Sequence, residues 1–193
     1  PFGTGVNESS FVRLDDIDPG NSYLNEAFNT VYIPMENINT VIANISETTV
    51  INEDIKNSFL GQMYFLRAYH YHYGVKLFGE IPLKTTPTEG ISNVEISKST
   101  VEAIYNQIVE DLQKAESSGL PWKDETGHVS MGAVKTLLAK VYLDMAGFPL
   151  LKGTEYYQRA YEKAQEVIAS GEFMLFDEYS ELRDPANENR GEH

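Results

Sequence analysis

Residues 60–69 read LGQMYFLRAY and residues 77–83 read LFGEIPL, and these two stretches decide how the whole chain is interpreted. Both lie in residues 52–83, which have the features of one long helix. Asn52 is a suitable N-cap, and the two acidic residues after it place negative charge where the helix dipole favours it. Gly79 suits the C-terminal end, and a proline three residues later prevents the helix from resuming.

The apolar residues of this stretch cover much of the circumference of the predicted helix. Several of them recur at helical spacing: Ile55, Phe59, Met63, Leu66, Tyr73 and Leu77. Aromatic and small residues occupy much of the remaining surface, so we expect neighbours to enclose the helix on several sides. Polar and charged residues break up any apolar run of the roughly eighteen residues that a membrane span needs. We therefore interpret the stretch as the central packing helix of a mainly all-α fold.

The composition is that of one ordinary globular domain. The chain has 193 residues, of which 41% are hydrophobic and 23% are charged. The formal net charge is −14, so the average field disfavours binding to a nucleic-acid backbone or to an anionic membrane surface. The chain contains no cysteine, which excludes disulfides, thiolate metal sites and cysteine nucleophiles.

The remaining patterns predict helices on both sides of the central one. The predicted elements of the single domain, residues 1–193, are a loop at 1–20, a helix at 21–46 that Pro34 is expected to kink, a first helix pair at 52–118, a second helix pair at 130–171 and an extended tail at 172–193. Such pairs predict a tetratricopeptide-like arrangement, although the loops are too long for a regular repeat.

Two of these helices have clear apolar patterns. Ser99 and Glu102 form a predicted capping box before a helix whose apolar residues follow steps of three and four: Val101, Ile104, Ile108, Leu112 and Ala115. The last helix, which Thr154 opens, is predicted to turn six residues inward: Tyr157, Ala160, Tyr161, Ala164, Val167 and Ile168.

No catalytic or cofactor-binding signature is present, and we expect neither an enzyme nor a bound cofactor. The chain lacks GxSxG, GxxxxGK[ST], GxGxxG and HExxH. His70 and His72 are two residues apart, so on a helix they point in nearly opposite directions and do not share a metal ion. Aromatic rings are good platforms for sugars or peptides when they lie in loops or near loop ends, as Phe2, Phe11, Tyr23 and Trp122 do.

The two quoted stretches resemble a known family. LGQxxFLRAYxY at residues 60–71, followed by LFGxIPL at residues 77–83, is similar to the signature of SusD/RagB-type proteins. Residues 132–143, which read GAVKTLLAKVYL, also resemble this family, and so does the order of the predicted helices. The family pattern usually has a basic residue at the position of His128 and often at that of Met131, and these departures leave the helical frame intact.

The resemblance implies a fold and a function. The fold would be the N-terminal part of a SusD-like superhelix of tetratricopeptide-like helix pairs, and the chain is expected to be a piece of a longer protein. The function would be that of a non-catalytic, surface-exposed outer-membrane lipoprotein, anchored through an N-terminal lipid that this chain lacks. Such a protein captures glycans, or in some members peptides, and acts as a lid on a SusC-like TonB-dependent transporter.

The motifs that carry the resemblance serve helix packing, so they assign no ligand-binding residue to this chain. By rough position alone, Phe2, Phe11 and Tyr23 are the candidate ligand-binding residues. Two alternatives remain at this point: a peptide-binding RagB-type lid protein, and a free-standing tetratricopeptide-like adaptor that binds a peptide in a helical groove.

Overall fold

A computed structural model describes residues 19–90 and 95–187 of the chain. Five α-helices follow one another in this part of the chain: α1 (Ser22–Glu47), α2 (Glu53–Phe78), α3 (Val101–Glu116), α4 (Met131–Ala146) and α5 (Thr154–Ser170). Two short 3-10 helices come after them, and the described residues form no strand beyond an isolated bridge between Pro82 and Lys98. The predicted all-α class is therefore confirmed. Helix α1 runs without interruption through Pro34, and a kink at that residue stays a prediction.

Side-chain caps explain where most of these helices begin. Asn21 caps α1 and Asn52 caps α2, each through its side-chain oxygen. Ser130 caps α4 in the same way. The predicted capping box at Ser99 is wrong by one residue, because the Thr100 hydroxyl accepts the hydrogen bond from the Ala103 amide. The Ser99 amide instead donates to the carbonyl of Ile81, at 2.9 Å.

Helices that are adjacent in sequence pack side by side, and α2 lies between α1 and α3. Helix α3 packs in turn against α4, and α4 against α5. The largest fully buried apolar side chains come from α1 to α4 and from the loop after α2: Met35, Val31, Tyr71, Ile81, Ile104, Ile108, Leu112, Val134, Leu138, Val141 and Met145. One continuous core therefore joins the first and second predicted helix pairs.

Helix α2 is less enclosed than expected, and its recurring apolar residues are not the buried ones. Ile55, Phe59, Tyr73 and Leu77 are exposed, and Met63 and Leu66 are only partly buried. The buried residues are instead small or polar, together with one tyrosine and one valine: Gly61, Arg67, Ala68, Tyr71, His72, Gly74 and Val75. Small residues let α2 approach its neighbours closely; a Cβ added at Gly61 would lie 2.0 Å from the Ser118 hydroxyl oxygen.

The predicted inward face of α5 is wrong for three of its six residues, and two others, Ala164 and Val167, are only partly buried. Only Ala160 is buried, whereas Tyr157, Tyr161 and Ile168 are at least half exposed. The reason is that α5 packs against α4 alone among the described helices. After α5, residues 171–176 form neither helix nor strand, and the ring of Phe173 lies against Gly132 of α4, where an added Cβ would clash with it.

The arginine of the signature stretch forms a buried polar centre between α1, α2 and α3. Arg67 donates from Nε and Nη2 to the two carboxylate oxygens of Asp111, at 2.8 and 2.7 Å. Its Nη1 donates to the side-chain oxygen of Asn39 and to the carbonyl of Thr85, each at 2.9 Å. Burial disfavours the charge of Arg67, but the hydrogen bonds and charge of Asp111 outweigh this and raise its pKa.

The same centre holds the loop that follows α2. The Tyr71 hydroxyl donates to the carbonyl of Lys84 at 2.7 Å and accepts from its amide at 2.8 Å. Glu36 accepts from the Lys84 ammonium and from the amide of Thr88, both at 2.7 Å, and these hydrogen bonds lower its pKa to about 2. Three helices thus hold the start of a long loop against the body of the protein, with Arg67 at the centre.

Candidate functional site

The first turns of α1 leave an open cleft beside α2. Residues 22–30 contribute no buried side chain, and Val31 is the first buried residue of α1. The resulting cleft has a volume of about 730 Å³ and is lined by Gly20, Ser22, Asn25, Glu26, Asn29, Thr30, Ile33, Pro34 and His70. The side chains of Asn25 and Asn29 are one helical turn apart, so both amides lie along the same face of α1.

A second cleft adjoins the first one and brings in two aromatic rings. It has a volume of about 320 Å³ and is lined by Tyr23, Glu26, Ala27, Thr30 and Tyr73. Glu26 and Thr30 line both clefts, which together form one surface that we call the polar groove. Tyr23 is 37% exposed and Tyr73 is 41% exposed, so each ring offers apolar surface to a ligand.

An aromatic cluster next to the polar groove fixes the position of α1 on α2. The ring of Phe28 lies 4.5 Å from that of Tyr32 and 5.7 Å from that of Phe78, measured between centroids. The Tyr32 hydroxyl donates to the carbonyl of Pro82 at 2.6 Å, and burial raises its pKa above the ordinary value. The cluster therefore ties α1 to the end of α2 and to the loop after it.

The histidine of the polar groove, His70, is partly buried. Burial lowers the pKa of His70, and a hydrogen bond with the Thr30 backbone opposes that effect only in part. The ring of Tyr69 meets that of His70 edge to face, at 5.9 Å between centroids. The polar groove thus combines aromatic rings, amides, hydroxyls, an imidazole and one carboxylate. Such a set can stack on the apolar faces of a sugar and exchange hydrogen bonds with its hydroxyl groups.

The structure describes only one of the three ligand-binding candidates that were identified in the sequence. Tyr23 lies in the polar groove, whereas Phe2 and Phe11 lie outside the described residues. Whether any of them binds ligand stays a prediction. Trp122 is partly buried against the core, with the Lys135 ammonium 5.6 Å from its ring centroid, so it is a packing residue.

Sequence reasoning missed most of the residues that line the polar groove. Asn25 and Asn29 have helical spacing but belong to no motif, while His70 and Tyr73 were expected in the interior because α2 looked enclosed. Leu24, Phe28 and Val31 keep the four- and three-residue spacing of an apolar helix face, so no signal in the sequence indicated that residues 22–30 contribute no buried side chain.

An apolar cleft lies elsewhere, between α2, α4 and the end of α5. It has a volume of about 450 Å³ and is lined by Phe65, Tyr69, Ser130, Gly132, Ala133, Thr136, Leu137, Lys140, Val167 and Phe173. Most of this lining offers no hydrogen-bonding side chain. The cleft therefore suits an apolar side chain or a helix face better than a sugar.

Within residues 19–90 and 95–187, no set of three or more histidine, cysteine or acidic residues is arranged to hold a metal ion. The helices of this part of the chain also include none with the length and apolar character of a membrane span.

Comparisons with known proteins agree with the helical fold. A SusD superfamily protein from Parabacteroides distasonis is 36% identical and superposes with a TM-score of 0.91, over 96% of this chain and 39% of its own. A laminarin-binding SusD-like protein is 26% identical with a TM-score of 0.78, over 94% of this chain and 39% of its own.

Sequence comparison identifies relatives of the same kind. SusD-like protein P2 from Formosa agariphila is 32% identical over 80% of this chain and 30% of its own length. With SusD-like protein P25 of the same organism, the match covers 34% of that relative, so the chain spans about a third of the length of these curated relatives. A family model described as SusD-like, starch-binding and associating with the outer membrane matches residues 4–143. The chain therefore belongs to the SusD-like family of glycan-binding proteins associated with the outer membrane.

Proposed function

We propose that this protein captures a polysaccharide or oligosaccharide at the cell surface and delivers it to a SusC-like TonB-dependent transporter, without catalysis. In this proposal an N-terminal lipid anchors the protein to the outer membrane. The family description, starch-binding and associating with the outer membrane, supports both the ligand class and the location. The laminarin-binding neighbour supports the ligand class as well.

The observation that carries the proposal is the composition of the polar groove. Tyr23 and Tyr73 line its smaller cleft, and the amides of Asn25 and Asn29 belong to the larger one. A sugar ring presents apolar C–H faces for stacking and a rim of hydroxyl groups for hydrogen bonds, so this arrangement matches both of its surfaces. A groove open to solvent along α1 also leaves room for a chain longer than one sugar ring.

Affinity electrophoresis of the full-length protein in gels cast with different polysaccharides tests the proposal. We expect at least one glycan to retard the protein. We also expect Tyr23→Ala and Tyr73→Ala each to weaken that retardation about threefold to tenfold, since a ring contact contributes about 0.5–1.5 kcal/mol. Tyr161→Ala is the matched control, because Tyr161 is an exposed ring outside the polar groove.

Two results would contradict the proposal. If no glycan in the panel retards the protein, glycan capture is wrong. If the full-length protein never co-purifies with a transporter from its native membrane, the delivery step is wrong while the binding step stands.

The apolar cleft favours a second candidate function, the binding of a peptide. An amphipathic peptide helix would place its apolar side chains against Phe65, Leu137 and Val167. This candidate covers both the RagB-type lid and the free-standing adaptor. It predicts heat in calorimetry with mixed peptides and loss of that heat in Val167→Asp, a change at a partly exposed residue of the cleft, whereas glycan retardation would be unchanged in the same variant.

A further inference from the structure

The two helices that form the polar groove carry charge very differently from each other. Helix α1 contains three glutamates and no lysine, arginine or histidine. One of these glutamates, Glu26, lines both clefts of the polar groove. A ligand in the groove therefore lies against a carboxylate on the α1 side.

The cations of α2 are all paired with carboxylates, and none of them lines the polar groove. Lys56 lies 3.6 Å from Glu53, and Lys76 lies 3.0 Å from Asp144. Arg67 is buried in its paired contact with Asp111. The lining of both clefts contains no lysine or arginine from the described part of the chain. Burial lowers the pKa of His70, the basic side chain among these described lining residues, and so disfavours its charged form.

Among the described residues, the N-terminus of α1 is the one positive feature close to the polar groove. Gly20 and Ser22, which flank this N-terminus, line the larger cleft. The amides of Tyr23 and Leu24 donate to the side-chain oxygen of Asn21, at 3.0 and 3.4 Å. These amides are therefore engaged within the protein, and an anion would gain less from them than at an uncapped helix end.

We infer that the polar groove selects neutral glycans and rejects glycans that carry sulfate or carboxylate groups. The inference rests on the proposed function and names the ligand class of that same groove. An anionic group would lose water on entering, would meet Glu26 and, among the described lining residues, would find no lysine or arginine to replace its hydration. The net charge of −14 adds a repulsive field around the whole chain.

The test uses matched pairs of glycans with the same backbone, namely laminarin with laminarin sulfate and dextran with dextran sulfate. Affinity electrophoresis of the full-length protein is run at low ionic strength, where screening is weak. We expect retardation by a neutral member and at least tenfold weaker retardation by its sulfated partner. In Glu26→Gln, the ratio of retardation by the neutral glycan to retardation by its sulfated partner is expected to be at least threefold smaller. Glu47→Gln removes the same charge from the other, exposed end of α1 and is expected to leave the ratio unchanged.

Each other outcome is informative. If the sulfated member binds as tightly as the neutral one, or more tightly, the inference is overturned while the glycan-binding function stands. If the neutral member is preferred but Glu26→Gln changes the ratio no more than Glu47→Gln does, the selectivity does not arise in the polar groove and the inference is again overturned. If no glycan of either kind binds, the proposed function itself fails, and the inference fails with it.

Discussion

Replacing Asp111 with asparagine is expected to destabilise the fold strongly, although the two side chains have nearly the same shape. The carboxylate accepts from Nε and Nη2 of Arg67 and, at 3.1 Å, from the side-chain amide of Gln107. Both partners of the ion pair are almost completely buried. Asparagine removes the negative charge and turns one acceptor into a donor that faces another donor.

The size of the stability loss follows from the contacts that Arg67 keeps after Asp111 is replaced. The guanidinium keeps its contacts with Asn39 and with the carbonyl of Thr85, so it stays in place as a buried charge without a counter-ion. Breaking a buried pair by removing one partner costs about 3–5 kcal/mol. Because the substitution creates no cavity, packing contributes little to this loss.

Urea unfolding followed by far-UV circular dichroism measures the change. The matched control is Glu110→Gln, which removes an exposed partner of Lys114 on the same helix and is expected to cost less than about 0.5 kcal/mol. The double variant Arg67→Met with Asp111→Leu is expected to be more stable than Asp111→Asn, because neither charge is left buried alone. A loss for Asp111→Asn no larger than that for Glu110→Gln would refute this reasoning.

Three further predictions concern the loop after α2, the packing of the tail and the effect of pH. Tyr71→Phe removes both hydrogen bonds to Lys84, so limited proteolysis should cut the loop after α2 sooner, with a stability loss of about 1–3 kcal/mol; equal cleavage rates would contradict this. Gly132→Ala places a Cβ against the ring of Phe173 and should cost about 1–3 kcal/mol in urea unfolding, whereas Gly147→Ala, with no atom nearer than 3.8 Å, should cost less. Burial lowers the pKa of His72, although its hydrogen bond to Asp144 opposes the shift. As the pH drops below 6.5, the unfolded chain therefore binds a proton at this histidine before the folded chain does, and the free energy of unfolding should fall. His72→Gln should make the urea midpoint less dependent on pH between about pH 7.5 and 5.5, and an unchanged pH dependence would contradict the assignment.

The fold was predictable where a helix has one apolar face. In α3 the predicted residues Ile104, Ile108, Leu112 and Ala115 are all fully buried, and only the first of the series, Val101, is partly exposed. A single stripe on an otherwise polar helix leaves one way to pack, so the spacing of three and four residues determines the buried face.

The buried face of α2 was not predictable in this way, because apolar residues occur all around the helix. What selects the face is the pairing of its polar residues with distant partners. Arg67 pairs with Asp111 on α3, and His72 lies 2.7 Å from Asp144 on α4. Sequence spacing within one helix contains no information about such partners, so the aromatic residues were assigned inward and the arginine was not.

The site was predictable only in part, and for a related reason. Tyr23 was identified from its place near the start of a helix, whereas Asn25, Asn29 and His70 lie in the same groove through the way α1 meets α2. A groove between two helices depends on where their buried contact begins, and the first buried residue of α1 is Val31. The family, in contrast, follows directly from the residues of the signature stretch.

A crystal structure of the full-length protein with the oligosaccharide that retards it most strongly tests the central claim most directly. We predict that a sugar ring stacks on Tyr23 or Tyr73 and that its hydroxyl groups exchange hydrogen bonds with the amides of Asn25 and Asn29. A glycan bound elsewhere, with both tyrosines and both asparagines free of it, would contradict the claim that the polar groove is the binding site.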